Sequence, residues 1–153
     1  MRHIKLLLLS ALLLTTVSCS KQEMERPFAD THLANINTSD CIMHTDMLAA
    51  KDMSPDSISV TLSDGSLSVT HHNMLLDCGT GENIITTMEI VNDTITVTEN
   101  VGEQGMTDCL CLYNNSFQIV DPPSGFFTLV IKEVYSYLGN ANQRIVYQHT
   151  FYN

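Results

Sequence analysis

The sequence predicts an all-β domain, an antiparallel sandwich or small barrel of about seven strands, cross-linked by disulfides. Three observations predict it. Apolar and polar residues alternate with period two over much of the chain. Turn dipeptides punctuate that alternation at short, regular intervals. Four cysteines follow an export leader and form an even set.

The leader comes first. Residues 1–5 are basic, and residues 6–17 are apolar apart from Ser10, Thr15 and Thr16. That run is shorter than the ~20 apolar residues a spanning helix needs, and it has the length of a signal-peptide core. It ends at Thr16-Val17-Ser18-Cys19. A small residue directly before a cysteine is what lipoprotein processing requires: the thiol takes a diacylglycerol, and the peptide is cut before Cys19. The segment resembles the bacterial lipobox, with Thr16 where leucine is usual. Ser20 follows in place of the Asp that marks inner-membrane retention. The short charged run Lys21-Gln22-Glu23-Met24-Glu25-Arg26 looks like a surface-export signal. These features divide the chain into a signal peptide (1–18), a lipidated Cys19 with a flexible tether (19–40) and one β domain (41–153).

All 17 acidic residues lie beyond the leader, whereas Arg2 and Lys5 leave with it, so five basic residues remain and the formal charge moves from −10 to −12. This balance excludes nucleic acid, which needs clustered Lys and Arg, and it opposes lying on anionic lipid. Its plain meaning is solubility.

Residues 41–57 are ambiguous: Met43, Met47, Leu48 and Met53 have loose helical spacing, and Ser54-Pro55-Asp56 ends whatever forms there. Strands begin at Ile58. Ile58, Val60 and Leu62 alternate with polar residues, Asp64-Gly65 follows, and Leu67, Val69 and His71 alternate again. Asp-Gly between two alternating runs is a strong hairpin signal, because both turn positions need positive φ. A second hairpin pairs 84–91 with 94–99 across Asn92-Asp93. Phe117 and Ile119 mark a further strand, and Pro122-Pro123-Ser124-Gly125 marks a turn. Residues 126–135 are apolar on both faces, as a central strand is. After a loop at 138–142 the last strand runs 143–151, with Ile145, Tyr147 and Phe151 on one face.

Cys109 and Cys111 are two residues apart in one strand and point to one face. A bridge between them needs a strained ring, so each seeks a separate partner among Cys41 and Cys78, with the pairing left open. A metal set of Cys78, Cys109, Cys111 and His72 is acceptable by ligand type, although the Cys-x-Cys spacing is not that of structural zinc. His71 and His72 should face opposite ways. Glu99 ends a strand and can pair with His72 if the sheet brings them together. No nucleophile elbow, phosphate loop, His-Glu-x-x-His or calcium loop is present.

His72-Asn73, Cys78, the run Thr94-Ile95-Thr96-Val97-Thr98-Glu99 and Cys109-Leu110-Cys111-Leu112-Tyr113-Asn114 together resemble a pattern. It belongs to small exported lipoproteins, mostly from Bacteroidetes: His-x-Asn, a cysteine, Thr-Ile-x-x-x-Glu and Cys-x-Cys-Leu-Tyr-Asp. The resemblance implies that His72, Asn73, Glu99 and the four cysteines are pattern positions, and Asn114 stands where that group carries Asp. It implies kinship and no chemistry.

The expectation is therefore a lipid-anchored envelope protein at the outer membrane or cell surface, with the periplasmic face as the other location. It is a non-catalytic binding or structural module with no cofactor, meeting an envelope protein or glycan. The alternative is a metal-binding or redox lipoprotein using Cys78, Cys109, Cys111 and His72.

Overall fold

The structure is a computed structural model, and it describes residues 30–46, 56–105 and 107–153. The leader, Cys19 and the helical spacing at Met47–Met53 lie outside the described residues. Nine strands form among those described: β1 (His32–Thr38), β2 (Met43–Asp46), β3 (Ser57–Ser63), β4 (Ser66–Asp77), β5 (Ile85–Val91), β6 (Thr94–Gln104), β7 (Cys109–Val120), β8 (Phe126–Tyr137) and β9 (Asn140–Tyr152). They make two open sheets packed as a sandwich, not a closed barrel. One has the order β1-β7-β4-β3 with β2 also on β7, and the other is β5-β6-β8-β9.

Both expected hairpins form. Asp64 and Gly65 take φ of 49° and 72°, so β3 and β4 pair in register from Ser63↔Ser66 to Ser57↔His72. Asn92 takes φ 52° between β5 and β6. The last hairpin is tighter than the predicted loop: Leu138 and Gly139, at φ 48° and 76°, make the turn, and β9 begins at Asn140. β8 lies between β6 and β9, as its apolar faces require.

Two expectations are corrected. The stretch assigned to the tether contains β1, which pairs with β7 from His32↔Val120 to Thr38↔Asn115. Its composition is polar because it is an edge strand, half of it open to water. β1 and β2 run in succession along the same edge of β7, and Ser39 N–H and Ile42 N–H continue the ladder to Asn114 and Leu112 between them. The sheets are also not purely antiparallel, because β6 and β8 pair in parallel. The crossover this demands is β7, which passes through the opposite sheet.

Alternating inner residues fill the space between the sheets. Leu67, Val69, Ile95, Val97, Phe117, Ile119, Phe127, Leu129 and Ile131 form the main core. A second apolar cluster, Met74, Leu76, Val101, Cys111 and Tyr113, lies towards the other end. Two disulfides close this second end, Cys41–Cys111 and Cys78–Cys109. Cys109 and Cys111 do take separate partners, and the open choice resolves with Cys41, in the segment between β1 and β2, bound to Cys111. The two bridges adjoin, with 3.3 Å between the non-bonded sulfurs of Cys78 and Cys111.

Candidate functional site

A polar layer separates the two apolar clusters, and the strands supply it by interrupting their apolar stripes at one level. β4 reads Leu67, Val69, His71 on its inner face, β6 reads Ile95, Val97, Glu99, and β8 reads Phe127, Leu129, Ile131, Glu133. On β7 the stripe from Ile119 and Phe117 reaches Asn115. The pairing holds these positions level: His71 is opposite Asn115, Asn115 opposite Thr38, Glu99 opposite both Thr86 and Glu133, and Glu133 opposite Arg144. Asp56, directly before β3, completes the layer.

Two bulges aim the side chains. In β4, His72 and Asn73 together oppose Asn114, so the inner positions change from odd numbers before the bulge to Met74 and Leu76 after it. Asn73 takes φ 59°, a conformation asparagine tolerates, and its N–H donates to Asn114 Oδ1 at 3.0 Å. In β9, Val146 is the extra residue between Ile131↔Tyr147 and Lys132↔Ile145. It turns Ile145 outward, against the expectation that Ile145 shares a face with Tyr147 and Phe151, and it turns Arg144 inward beside Glu133.

The layer is fully hydrogen-bonded. His71, wholly buried, places Nδ1 2.6 Å from Glu99 Oε2 and Nε2 2.6 Å from Asp56 Oδ1. A carboxylate only accepts, so both ring nitrogens carry a proton and His71 is an imidazolium. Burial opposes that charge, but the hydrogen bonds to Asp56 and Glu99 and their negative charge outweigh it and push the pKa up to about 9. Asp56 is likewise disfavoured by burial, yet His71 and then Arg144 hold its carboxyl below the usual range. Arg144 Nη2 reaches Asp56 Oδ2 at 2.5 Å and Glu133 Oε2 at 2.9 Å, while its Nε donates to Glu133 Oε1 at 3.1 Å. This bidentate contact raises the guanidinium pKa further. On the far side, Asn115 Nδ2 donates to Glu99 Oε1 at 2.7 Å and to Thr86 Oγ1 at 3.0 Å, and Thr38 Oγ1 donates to Asn115 Oδ1 at 3.1 Å.

At the Asp56–Arg144 end the layer opens into a cleft of about 480 Å³. Arg144, with 49% of its side chain exposed, lies at its base. Leu75, Leu112, Gln104, Tyr135 and Tyr137 are among its walls. Tyr137 is packed over Gly105, where a Cβ would clash with the ring, so the missing side chain lets the ring lie there.

The site residues expected from the sequence divide. The four cysteines meet, but as disulfides, so they leave no thiolates for the expected set with His72. That metal set is not assembled: His72 faces away from the layer and places Nε2 2.9 Å from Ser59 Oγ. Glu99 does pair with a histidine, but with His71. One step along a strand reverses the face, and the alternation Leu67, Val69, His71 carries that signal. Asp56, Asn115, Glu133 and Arg144 are not among the site residues the sequence predicts. His71, Asp56 and Glu133 do bring one ligand atom each within 4.8 Å of one another. Arg144 Nη2 already spans the two carboxylates, however, and both His71 nitrogens are engaged. Tyr147 and Phe151 pack on the main core and Tyr135 on the second cluster, whereas Tyr137 and Tyr152 are exposed. Cys19 lies outside the described residues.

The chain matches no family model, no curated protein and no solved structure.

Proposed function

We propose that the protein is a lipid-anchored, exported binding module without catalytic activity, which takes a saccharide of the cell envelope into the cleft at the Asp56–Arg144–Glu133 end. The anchor rests on the leader and Cys19. Export accords with two disulfides, which persist in oxidising compartments. The observation that carries the binding reading is the cleft itself. Its charged base is held rigid by the ion pairs of Arg144, and beside it stand the amide of Gln104, itself held by Asp77 N–H and the Val101 carbonyl, and the ring of Tyr137, laid over Gly105. Sugars are bound by such planar polar groups and by an aromatic face that covers their C–H surface. Within the layer, each carboxylate of Asp56, Glu99 and Glu133 is engaged by His71, Asn115 or Arg144. That suits recognition better than general acid–base turnover, which needs a group able to exchange its proton with a substrate.

A glycan array probed with the mature chain tests this reading. A retained envelope oligosaccharide whose binding falls about tenfold or more in Tyr137→Ala, through loss of one aromatic contact, supports it. Binding indifferent to both Tyr137→Ala and Arg144→Met, or release of reducing ends on incubation, refutes it. Labelling with a radioactive fatty acid tests the anchor, and label retained by Cys19→Ser removes it.

A further inference from the structure

We infer that the two bridges together form a site of dithiol–disulfide exchange, whose co-reactant is an exported protein bearing a vicinal dithiol. Its two-electron reduction leaves a Cys78–Cys111 bond in place of both bridges and puts the thiols at Cys41 and Cys109. The inference does not depend on the ligand of the cleft.

Cys109 and Cys111 are two residues apart on β7, so their side chains share one face. Cys78, directly after β4, lies opposite Cys109, and its N–H donates to the Cys109 carbonyl at 2.9 Å. Cys111 is opposite Leu76. Cys78 is therefore the diagonal neighbour of Cys111, and their sulfurs lie 3.3 Å apart although each is bonded elsewhere. The four sulfurs form a row, Cys41, Cys111, Cys78, Cys109, whose middle pair touches without a bond. Cys111 is wholly buried in the cluster of Met74, Leu76, Val101 and Tyr113, whereas Cys41 and Cys109, at the ends of the row, are half-buried. The loops that two bridges close do not require the bridges to touch. The contact between Cys78 and Cys111 is what makes exchange available.

The steps balance. A thiolate of the dithiol attacks Cys41 Sγ, at the more accessible residue of its bridge. The Cys41–Cys111 bond breaks, and Cys111 leaves as a thiolate with the electron pair. Its apolar surroundings solvate that charge poorly, and a disulfide sulfur already touches it. Cys111 attacks Cys78 Sγ, the Cys78–Cys109 bond breaks, and Cys109 leaves as a thiolate that takes a proton from water. The second thiol of the reductant then displaces Cys41 from the mixed disulfide and gives it a proton, and the reductant departs as a disulfide. Entry at Cys109 gives the same product, because it expels Cys78 onto Cys111. Held partners exchange faster than dissolved ones, since effective molarities of oriented groups reach ~10⁵ M and above. The new bond still joins the end of β4 to β7, so that sheet stays cross-linked in both redox states. What is given up is the tie to the segment between β1 and β2.

Partial reduction of the oxidised mature protein with an equimolar amount of dithiothreitol, quenched in acid, decides the matter. Thiols are alkylated in denaturant at low pH, and fragmentation across Leu110 separates a label on Cys109 from one on Cys111. The two-thiol product is expected to carry its labels on Cys41 and Cys109, exceeding any other pair about tenfold or more, as a held sulfur outruns a dissolved one. Cys41→Ser, equilibrated without reductant, should settle with Cys78 bonded to Cys111 and its label on Cys109. Labels on Cys41 with Cys111, or on Cys78 with Cys109, show a bridge merely opened and overturn the inference. So does an even mixture of pairs, or loss of both bridges together with no two-thiol product.

Discussion

The imidazole of His71 and the carboxylate of Glu99 meet at 2.6 Å between the two sheets, each with no exposed surface. This contact ties the sheets at a level where apolar packing is interrupted. The second ring nitrogen of His71 extends the tie to Asp56, and from there to Arg144 and Glu133.

Stability should therefore fall as pH rises through a defined window. The folded His71 pKa is raised to about 9 from an ordinary 6.5. Below about 6.5 both folded and unfolded chains carry the proton, and the contribution is complete. Between 6.5 and 9 only the folded chain holds it, so each rise in pH favours unfolding; above 9 nothing further is lost. The expected total is about 3 kcal/mol. Urea midpoints measured across this range check it. His71→Gln, whose side chain does not titrate, should flatten the profile.

Removing one member of the layer leaves its partner charged and buried. Glu99→Ala is expected to cost about 3–5 kcal/mol. Arg144→Met should cost less, about 1–2 kcal/mol, because half of that side chain reaches water, so water can take the place of the guanidinium beside part-buried Asp56 and at the edge of buried Glu133. Denaturant titration of the two variants at one pH compares them, and equal losses would contradict the burial difference.

The bulge of β4 makes a chemical distinction at Asn114. Its side-chain oxygen is the acceptor for Asn73 N–H, and a carboxylate offers the same atom. Asn114→Asp should be within about 0.5 kcal/mol of the native chain, and Asn114→Ala should lose about 1–2 kcal/mol by orphaning that amide. Asn73→Gly should be tolerated where Asn73→Val is not, since φ is 59°. Thermal unfolding of the four variants separates these outcomes.

The two bridges should differ in what they hold. Cys41–Cys111 spans 70 residues and Cys78–Cys109 spans 31, which correspond to about 4.4 and about 3.7 kcal/mol of denatured-chain entropy. Paired replacement by alanine tests the order. Hydrogen exchange adds a local readout: loss of Cys41–Cys111 should expose the β1 amides facing β7 before any others in that sheet.

Much of the fold is written in alternation and turn chemistry. Asp64-Gly65 marks its hairpin because two successive positive φ values are rarely met otherwise, and the spacing of Cys109 and Cys111 already forbids their mutual bridge. The polar layer is legible in principle, since His71, Glu99, Asn115 and Glu133 each fall in phase with an apolar stripe. Arg144 is not, because the bulge at Val146 shifts the phase and no local residue announces it. The parallel pairing of β6 and β8 is equally hidden, being decided by contacts with the opposite sheet. β1 escapes notice because an edge strand needs few apolar residues.

The parallel pair also sets an order of assembly. Until β7 has crossed to the opposite sheet and β8 has returned, β6 is satisfied on one edge only, by β5. In a chain that emerges N-terminus first, β1 and the second edge of β4 wait for β7, and the free edge of β6, which carries Glu99, waits for β8. Cys41 must wait for Cys111 until β7 has emerged. Any factor that guards this protein during its delivery has its targets among these edges, of which those of β4 and β6 are concealed in the finished sandwich.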